Sequence, residues 1–294
     1  MKILNFGSLN LDLVYQIPHF VRAGETLSTT GFSRNVGGKG LNQSVALAKA
    51  GAEVYHAGMV GADGEMLRTF LSENGVDVRF VRTIDQPSGH AVILVVPEGN
   101  NCIFLYGGAN QCITSEFIQE ALEPFGEGDF LVLQNEINAI DEIINAASEK
   151  GMQIVLNPSP IADNLAKLPL DKVSWFILNE IEGAELSGET EPDKILDKLT
   201  ALYPHAKIVL TLGGDGSIYT DGKVRIPQQV YKVNAVDTTA AGDTFTGFFF
   251  AGMAAGVEPA EALKRASKAS SISVTRPGAA ASIPLLDEVL EALK

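Results

Sequence analysis

Short apolar runs alternate with amphipathic stretches along most of the chain. Runs rich in Ile, Leu, Val and Phe are bounded by turn residues and predict buried strands at residues 3–7, 130–133, 153–156, 175–178 and 208–212. Stretches with helical spacing lie between them, for example 41–50, 141–150 and 192–203. This alternation is typical of an α/β fold with a mostly parallel sheet and helices on both faces.

Two segments interrupt the alternation. Residues 11–35 and 90–106 contain alternating β-prone side chains without a helical pattern, which predicts a small second sheet. The last third of the chain predicts helices over 242–256, 259–273 and 284–293. Because we find no repeat, low-complexity tract or flexible linker, we expect a single domain over 1–294 that includes the small sheet.

Three predicted strands end in residues suited to a ligand cleft. Asn157, Asn179 and Gly213 each follow a buried run. Ligands of open parallel sheets bind beyond the carboxyl ends of the strands. We therefore expect these three residues to line one cleft.

A turn of small residues and one carboxylate precedes an apolar helical series that starts at Thr244. The turn reads Asp237-Thr238-Thr239-Ala240-Ala241-Gly242-Asp243. The first N–H groups of a helix lack internal partners and can hold an anion such as a phosphate. Asp243 offers a carboxylate that could take a proton from an attacking hydroxyl. The turn alone also fits a helix-capping acid, which is common in any helix.

Composition narrows the function classes. The formal net charge of -14 disfavours binding to nucleic acid, and no basic patch is visible. The apolar run at the N-terminus is too short for a signal peptide or a membrane span, so we expect a cytoplasmic protein without a membrane partner. The four histidines are scattered, which disfavours a His-based metal site.

A second motif, Asn35-Val36-Gly37-Gly38-Lys39-Gly40-Leu41-Asn42-Gln43, lies far upstream of the turn. The two motifs, in this order, resemble the signatures of the ribokinase family of sugar kinases, also called the phosphofructokinase-B type. Further segments follow the family order, at residues 7–12, 24–26, 58–64, 108–110, 178–182, 211–213 and 274–279. Two positions depart from the family pattern. Ala240 replaces a common Gly, which would be strained if its φ were positive, and Leu41 replaces a common Ala.

The resemblance implies a three-layer α/β sandwich whose small sheet forms a lid over the sugar and often the dimer contact. It implies ATP-dependent phosphorylation of D-ribose at the 5-hydroxyl by a homodimer, with Mg²⁺ and K⁺ as cofactors. Alternatives are a related kinase acting on fructose, 2-keto-3-deoxygluconate, deoxyribose or adenosine, and a sugar-binding regulator without catalysis. An intact Asp243 argues against the regulator.

The resemblance also implies roles for individual residues. Asp243 would be the catalytic base, beside an anion hole formed by the N–H groups of Ala240, Ala241, Gly242 and Asp243 itself. The sugar would be bound by Asn10, Asp12, Gly38, Lys39, Asn42, Glu136 and Asp243. Alternative interpretations remain for three of these, since Asp12 could be a surface strand acid, Asn42 a helix N-terminal residue and Glu136 a solvated loop acid.

For the nucleotide, Asn179 and Glu182 would organise Mg²⁺ and the phosphates through water. The other residues matched to ATP binding are Thr211, Gly213, Gly242 and Ser267. The K⁺ site would consist of Asp237, Thr239, Ser273, Arg276, Gly278 and Ser282, with Thr239, Arg276 and Gly278 acting through their carbonyls. Asp237 could also be a plain turn residue. Lys39 does not belong to a phosphate-binding P-loop, because Gly40 follows it in place of Ser or Thr.

Overall fold

The computed structural model describes residues 1–162 and 165–294. The strands of this part of the chain are Ile3–Phe6 (β1), Asn10–Gln16 (β2), Gly31–Gly37 (β3), Val54–Val60 (β4), Asp77–Thr83 (β5), Gly89–Val95 (β6), Asn101–Tyr106 (β7), Phe130–Gln134 (β8), Gln153–Asn157 (β9), Trp175–Asn179 (β10), Lys207–Thr211 (β11), Ser217–Thr220 (β12) and Arg225–Gln228 (β13). The helices are Lys39–Lys49 (α1), Glu65–Glu73 (α2), Ser115–Leu122 (α3), Ile140–Glu149 (α4), Glu180–Ser187 (α5), Pro192–Leu202 (α6), Ala241–Ala254 (α7), Pro259–Ser273 (α8) and Leu286–Ala292 (α9).

The larger sheet has the strand order β13-β12-β11-β10-β9-β8-β1-β4-β5. Its neighbouring strands are parallel from β5 through to β11, whereas β12 pairs antiparallel with β11 and the edge strand β13 pairs antiparallel with β12. The smaller sheet has the order β3-β2-β6-β7 and is built from the two segments that interrupt the helical alternation. The predicted fold class, a mostly parallel sheet with a small second sheet, is confirmed.

Two apolar cores lie on opposite faces of the larger sheet. Along β1, Ile3 contributes to one core, whereas Leu4 and Phe6 contribute to the other. The first core also contains residues of α1, α7 and α8, and the second contains residues of α3, α4 and α6. Because strands buried on both faces read as continuous apolar runs, this arrangement explains why β1 and β8 to β11 were predictable.

Several boundaries and elements differ from the predictions. The run predicted as 208–212 is a strand over Lys207–Thr211, so Gly213 begins a short 3-10 turn beyond it. The helix predicted over 284–293 spans Leu286–Ala292. We did not predict β4, β5, β12 or β13 as strands. Within the described residues, no helix is both long enough and apolar enough to cross a membrane.

Helices α1 and α7 pack in close contact on one face of the sheet. A Cβ atom added at Gly247 of α7 would lie 2.3 Å from the Cβ of Ala46 in α1. The absent side chain therefore sets the distance between these helices. The contact fixes the start of α1, which follows the small sheet, relative to the start of α7.

Candidate active site

Asp243 lies in the first turn of α7, and its carboxylate points toward α1. Its Oδ2 accepts a hydrogen bond from Nδ2 of Asn42 at 3.0 Å, and its Oδ1 accepts one from Nε2 of Gln43 at 2.9 Å. The side chain is 8% exposed. The residue at the helix cap is Ala240, so Asp243 is not the capping acid of α7. These two hydrogen bonds hold its carboxylate in a defined orientation.

The turn that precedes Asp243 has the form of an anion site. An atom added to Cα of Gly242 would meet nothing within 4 Å, so space for a ligand opens above this turn. Ala240 has φ 60° and ψ 13°, the left-handed conformation that a Gly would adopt without strain. The N–H of Ala241 differs from its predicted role, because it donates to the carbonyl of Thr238 at 3.2 Å. The N–H groups of Gly242 and Asp243 remain the first-turn donors.

The predicted sugar residues from β2 lie beside the start of α1. Oδ1 of Asn10 accepts from Nδ2 of Asn110 at 2.8 Å. Asp12 is adjacent to Gly37, where an added Cβ would lie 2.2 Å from Oδ2 of Asp12. Gly38 has φ 93° and caps α1. Gly37 thus leaves room for the Asp12 carboxylate, and Gly38 lets the chain turn beside Ser8 and Asn10 into α1.

Glu136 is not a solvated loop acid. It follows β8, and its Oε2 accepts hydrogen bonds from the hydroxyl of Ser8 and, at 3.1 Å, from the N–H of Lys39. Burial raises the pKa of Glu136. Burial, and then the negative charge of Glu136, raises the pKa of Asp12 to about 6. The two carboxylates therefore belong to one desolvated site, and Asp12 is not a surface acid.

A cavity of about 200 Å³ lies between the small sheet and the strand ends of the large sheet. Its lining includes Asn10, Leu105, Tyr106, Asn110 and Glu136. Oδ1 of Asn42 is buried and has no hydrogen-bond partner within the described residues. A ligand hydroxyl could satisfy this atom, because a buried carbonyl without a partner is costly.

Sequence reasoning missed two residues of this site. Asn110 holds the loop after β1, because its Oδ1 accepts from the N–H of Leu9 at 3.0 Å and its Nδ2 donates to Asn10. Gln43 donates to Asp243 and, at 3.2 Å, to Oδ1 of Asn157. Both residues belong to motifs that follow the family order, which was the one sequence feature that could have identified them. Their contacts could not be predicted, because they join residues 100 or more positions apart in the sequence.

The predicted nucleotide residues lie at the ends of neighbouring strands. Asn179 ends β10, and its side chain and that of Glu182 form a reciprocal capping box with distances of 2.9 and 3.0 Å. Thr211 ends β11 and donates to the carbonyl of Leu178 at 3.4 Å. Gly213 has φ 51° and open space around its Cα. Since β9, β10 and β11 are parallel neighbours, Asn157, Asn179 and Gly213 face the same edge of the sheet.

Ser267 lies apart from these strand ends. It is buried on α8, and its hydroxyl donates to the carbonyl of Gln229 at 3.3 Å. Next to it, the ammonium of Lys268 lies 3.8 Å from the centre of the Tyr231 ring. The hydroxyl of Ser267 is thus engaged with the chain that precedes the anion turn.

Two loops meet at Asp237, the predicted cation ligand. Its Oδ1 accepts from the N–H of Thr239 at 2.9 Å, and its Oδ2 accepts from the N–H of Gly278 at 3.0 Å. These hydrogen bonds lower the pKa of Asp237, although burial acts in the opposite direction. The guanidinium of Arg276 is paired with Glu288, which leaves only the carbonyl of Arg276 for a cation.

The hydroxyls of the other two predicted cation ligands are engaged as donors. Ser273 donates to the carbonyl of Ser270 at 2.9 Å, and Ser282 donates to that of Ala279 at 2.8 Å. A hydroxyl that donates its proton in a hydrogen bond can still bind a cation through a lone pair of its oxygen. The donor set of carboxylate, carbonyl and hydroxyl oxygens suits a hard cation.

Comparisons with known proteins agree with this geometry. A model of the pfkB family carbohydrate kinases matches residues 1–286. The chain is 35% identical to a ribokinase of Bacillus subtilis over 296 residues, covering 99% of each chain. The structure resembles a ribokinase of Thermotoga maritima, with a TM-score of 0.90, 30% identity and 99% of each chain covered.

A ribokinase of Arabidopsis thaliana, solved in complex with ribose and ATP, is similar over 100% of this chain and 98% of its own. The TM-score is 0.89 and the identity 30%. The family model and the full-length relatives agree with the order of the motifs along the sequence and with the two-sheet architecture. The chain therefore belongs to the pfkB family of carbohydrate kinases.

Proposed function

We propose that this protein phosphorylates D-ribose at its 5-hydroxyl with ATP, giving ribose 5-phosphate and ADP. The observation that carries the proposal is the Asp243 carboxylate, which two amides of α1 hold in the first turn of α7, next to the open space above Gly242. Full-length similarity to ribokinases, one of them complexed with ribose and ATP, supports ribose as the sugar.

In the proposed reaction, Asp243 accepts the proton of the 5-hydroxyl while the hydroxyl oxygen forms a bond to the γ-phosphorus. The bond between that phosphorus and the β,γ-bridging oxygen breaks, and ADP leaves with the electron pair. The N–H groups of Gly242 and Asp243 donate to the phosphoryl oxygens as their charge develops. Because Ala241 is already bonded to Thr238, we assign the anion hole mainly to these two donors.

The sugar would lie between β2 and the start of α1. Asn10, Asp12 and Asn42 would bind its hydroxyls, and Glu136 would accept from a further hydroxyl while it holds the N–H of Lys39. Gly38 would allow close approach of the backbone. Several fixed donors and acceptors of this kind discriminate between polyols, because a wrong sugar leaves a buried polar group unpaired.

We propose that ATP binds along the ends of β10 and β11, near Asn179, Thr211 and Gly213. Asn179 and Glu182 would hold Mg²⁺ through water, and the ion would supply positive charge against the phosphates. The capping box supports a rigid position for both side chains. The hydroxyl of Ser267 would also hold the carbonyl of Gln229 in place, since it donates to it at 3.3 Å.

We propose K⁺ as a structural activator at the two loops joined by Asp237. Asp237, Ser273 and Ser282 would supply side-chain oxygens, and Thr239, Arg276 and Gly278 would supply carbonyls. The cation would add positive charge near the anion turn and hold its two loops together. The bonds from Asp237 to both loops support this site.

The test is ATP-dependent release of ADP with D-ribose, Mg²⁺ and K⁺. We expect Asp243→Asn to lower kcat by about 10²- to 10⁴-fold, the usual contribution of a positioned base. Replacement of K⁺ by Na⁺ should lower turnover. A preference for fructose, 2-deoxyribose, 2-keto-3-deoxygluconate or adenosine would contradict ribose as the substrate. Sugar binding without turnover on any substrate would indicate the regulator.

A further inference from the structure

A connected series of buried polar side chains lies beneath the proposed base. It consists of Asn5, Gln43, Ser44, His56 and Gln134, each 0% exposed. The proposed function uses only the hydrogen bond from Gln43 to Asp243 and assigns no role to the other four. Burying a polar group costs free energy unless the group forms a hydrogen bond, and each hydrogen bond needs one donor and one acceptor. The directions of the bonds in this series can therefore be assigned one by one.

The series ends at His56, and the protonation of its ring determines which group donates in the next hydrogen bond of the series. Burial lowers the pKa of His56 to about 4, so the ring is neutral near pH 7. Its Nε2 lies 3.2 Å from the carbonyl of Gly7, which can only accept. The ring proton is therefore assigned to Nε2, and Nδ1 is an acceptor. The hydroxyl of Ser44, 2.7 Å from Nδ1, must donate to it.

The hydrogen bonds of the Asn5 amide can be assigned next. Since the Ser44 proton is used, its oxygen accepts from Nδ2 of Asn5 at 2.8 Å. The same Nδ2 donates to the carbonyl of Gly40 at 2.8 Å. Oδ1 of Asn5 is thereby turned to Gln134, whose Nε2 donates to it at 3.0 Å.

The amide of Gln134 in turn determines the orientation of the Gln43 amide. Nε2 of Gln134 donates its second proton to Oε1 of Gln43 at 2.7 Å. Gln43 must then present its amide nitrogen, and not its oxygen, to Asp243 and Asn157. A flipped amide would set an oxygen against the carboxylate and an N–H against the N–H of Gln134.

We propose that Gln43 is a positioning residue for phosphoryl transfer, and that Gln134, Asn5, Ser44 and His56 set its orientation. This inference rests on the proposed role of Asp243 as the base. Asn42 and Gln43 hold one carboxylate oxygen each, so together they fix the plane of the carboxylate. Asn42 keeps a buried side-chain oxygen without a partner that a sugar hydroxyl could use, whereas Gln43 is 0% exposed and its amide is engaged with protein groups only.

The first test is Gln43→Met, which keeps the length of the side chain and removes its N–H donors. We expect kcat with ribose to fall by about 10- to 100-fold, the cost of a misplaced reacting group. The KM for ribose and for ATP should change by less than about threefold, because the residue contacts neither ligand in the proposed mode. A purely structural role would lower thermal stability without this separation of kcat from KM.

Gln134→Met tests the orientation itself, because Gln134 acts on Asp243 only through Gln43. It should lower kcat in the same direction, and the double variant with Gln43→Met should be no slower than Gln43→Met alone. The matched control is Ile144→Ala in α4, which also removes a fully buried side chain but belongs to the core on the other face. It should lower the melting temperature and leave kcat unchanged.

The outcomes separate this inference from the proposed function. If Asp243→Asn abolishes turnover while Gln43→Met and Gln134→Met retain the wild-type kcat, the positioning role is wrong and the base remains. If Asp243→Asn retains turnover, the base assignment fails first. Should Gln43→Met not fold, the kcat of Gln134→Met decides between the positioning role and a structural one.

Discussion

At the scale of single residues, Ala240 is a strained position inside the proposed anion turn. Its left-handed φ of 60° brings its Cβ close to the following carbonyl, which costs about 1–2 kcal/mol for an L-residue. From the sequence we expected strain only if φ at this position were positive, because Ala stands where the family pattern has Gly. Whether φ was positive depended on the surrounding loop and could be learned only from the structure.

We expect Ala240→Gly to raise the free energy of unfolding by about 1 kcal/mol, because Gly adopts this φ without strain. The matched control is Ala139→Gly, where φ is 57° at the start of α4. Both variants should gain stability in urea unfolding. Only Ala240→Gly should alter kcat, since Ala139 caps a helix outside the proposed site. A loss of stability at Ala240 would contradict the assignment of strain.

Asp12 predicts a pH dependence of stability. Its pKa of about 6 in the folded chain lies above the ordinary value of 3.8, so the folded state binds this proton more tightly. The destabilisation is therefore absent well below pH 4 and fully present above pH 6. After a discount for solvent screening, Asp12→Asn should raise the free energy of unfolding by about 1 kcal/mol at pH 8.

The gain from Asp12→Asn should disappear as the pH falls from 6 to 4, and the KM for ribose should rise at all pH values. Asp221→Asn is a control of opposite sign, because backbone N–H groups of Val224 and Lys223 lower the pKa of Asp221. That variant should be less stable than wild type at pH 8. Urea unfolding at several pH values checks both signs, and a gain from Asp12→Asn that persists at pH 4 would contradict the prediction.

At the scale of elements, the packing of α1 against α7 determines the position of Asp243, the proposed base. Asn42 and Gln43 lie on one helix and Asp243 on the other, so the distance between the helices sets both hydrogen bonds to the carboxylate. Gly247, one turn beyond Asp243, is the point of closest approach. The element pair thus links core packing to the geometry of the site.

We expect Gly247→Ala to lower the free energy of unfolding by about 1–3 kcal/mol, the usual cost of overpacking, and to lower kcat as well. The control is Gly252→Ala on the same helix, where an added Cβ would lie 3.2 Å from the Cβ of Ala262 in α8. It should perturb stability less and leave kcat unchanged. Urea unfolding and steady-state kinetics check this pair, and equal kcat losses would argue against the specific role of the α1–α7 contact.

The sequence predicted those elements whose signal is local. The strands β1 and β8 to β11 are continuous apolar runs, and α8 was predicted with its observed bounds because Pro259 starts it. In contrast, β5 has a mixed burial pattern and β12 and β13 have only 4 residues each, so none of the three gives a clear periodic signal. The series from His56 to Gln43 was also unpredictable, because its amide contacts join residues 91 and 129 positions apart.

At the scale of the whole molecule, the small sheet exposes apolar side chains that a second copy of the chain could cover. Phe32 on β3 and Ile103, Phe104 and Leu105 on β7 are between 50% and 64% exposed. Clusters of large exposed apolar residues mark interaction surfaces. The homodimer that the family resemblance implies stays a prediction, and we expect these exposed side chains of the small sheet to lie at its interface.

For the predicted homodimer, we expect Phe104→Asp to give a monomer, because a carboxylate buried without a partner at the interface opposes association. Leu202→Asp on α6 is the control, since Leu202 is 48% exposed outside the small sheet. It should leave the mass unchanged. Light scattering after size exclusion gives the mass of each variant. A wild-type monomer at micromolar concentration would contradict the interface.

The strand β2 belongs to the small sheet and also carries Asn10 and Asp12. If the small sheet moves away from the cavity, part of the proposed sugar site therefore moves with it. If the small sheet covers a cavity without sugar, the carboxylates of Asp12 and Glu136 repel each other and no sugar hydroxyl donates to Asp12. Sugar hydroxyls would relieve this repulsion, so the complete site is favoured only with sugar present. Since water competes with sugar as acceptor of the γ-phosphate, we expect the same two carboxylates to suppress futile hydrolysis of ATP in the absence of ribose.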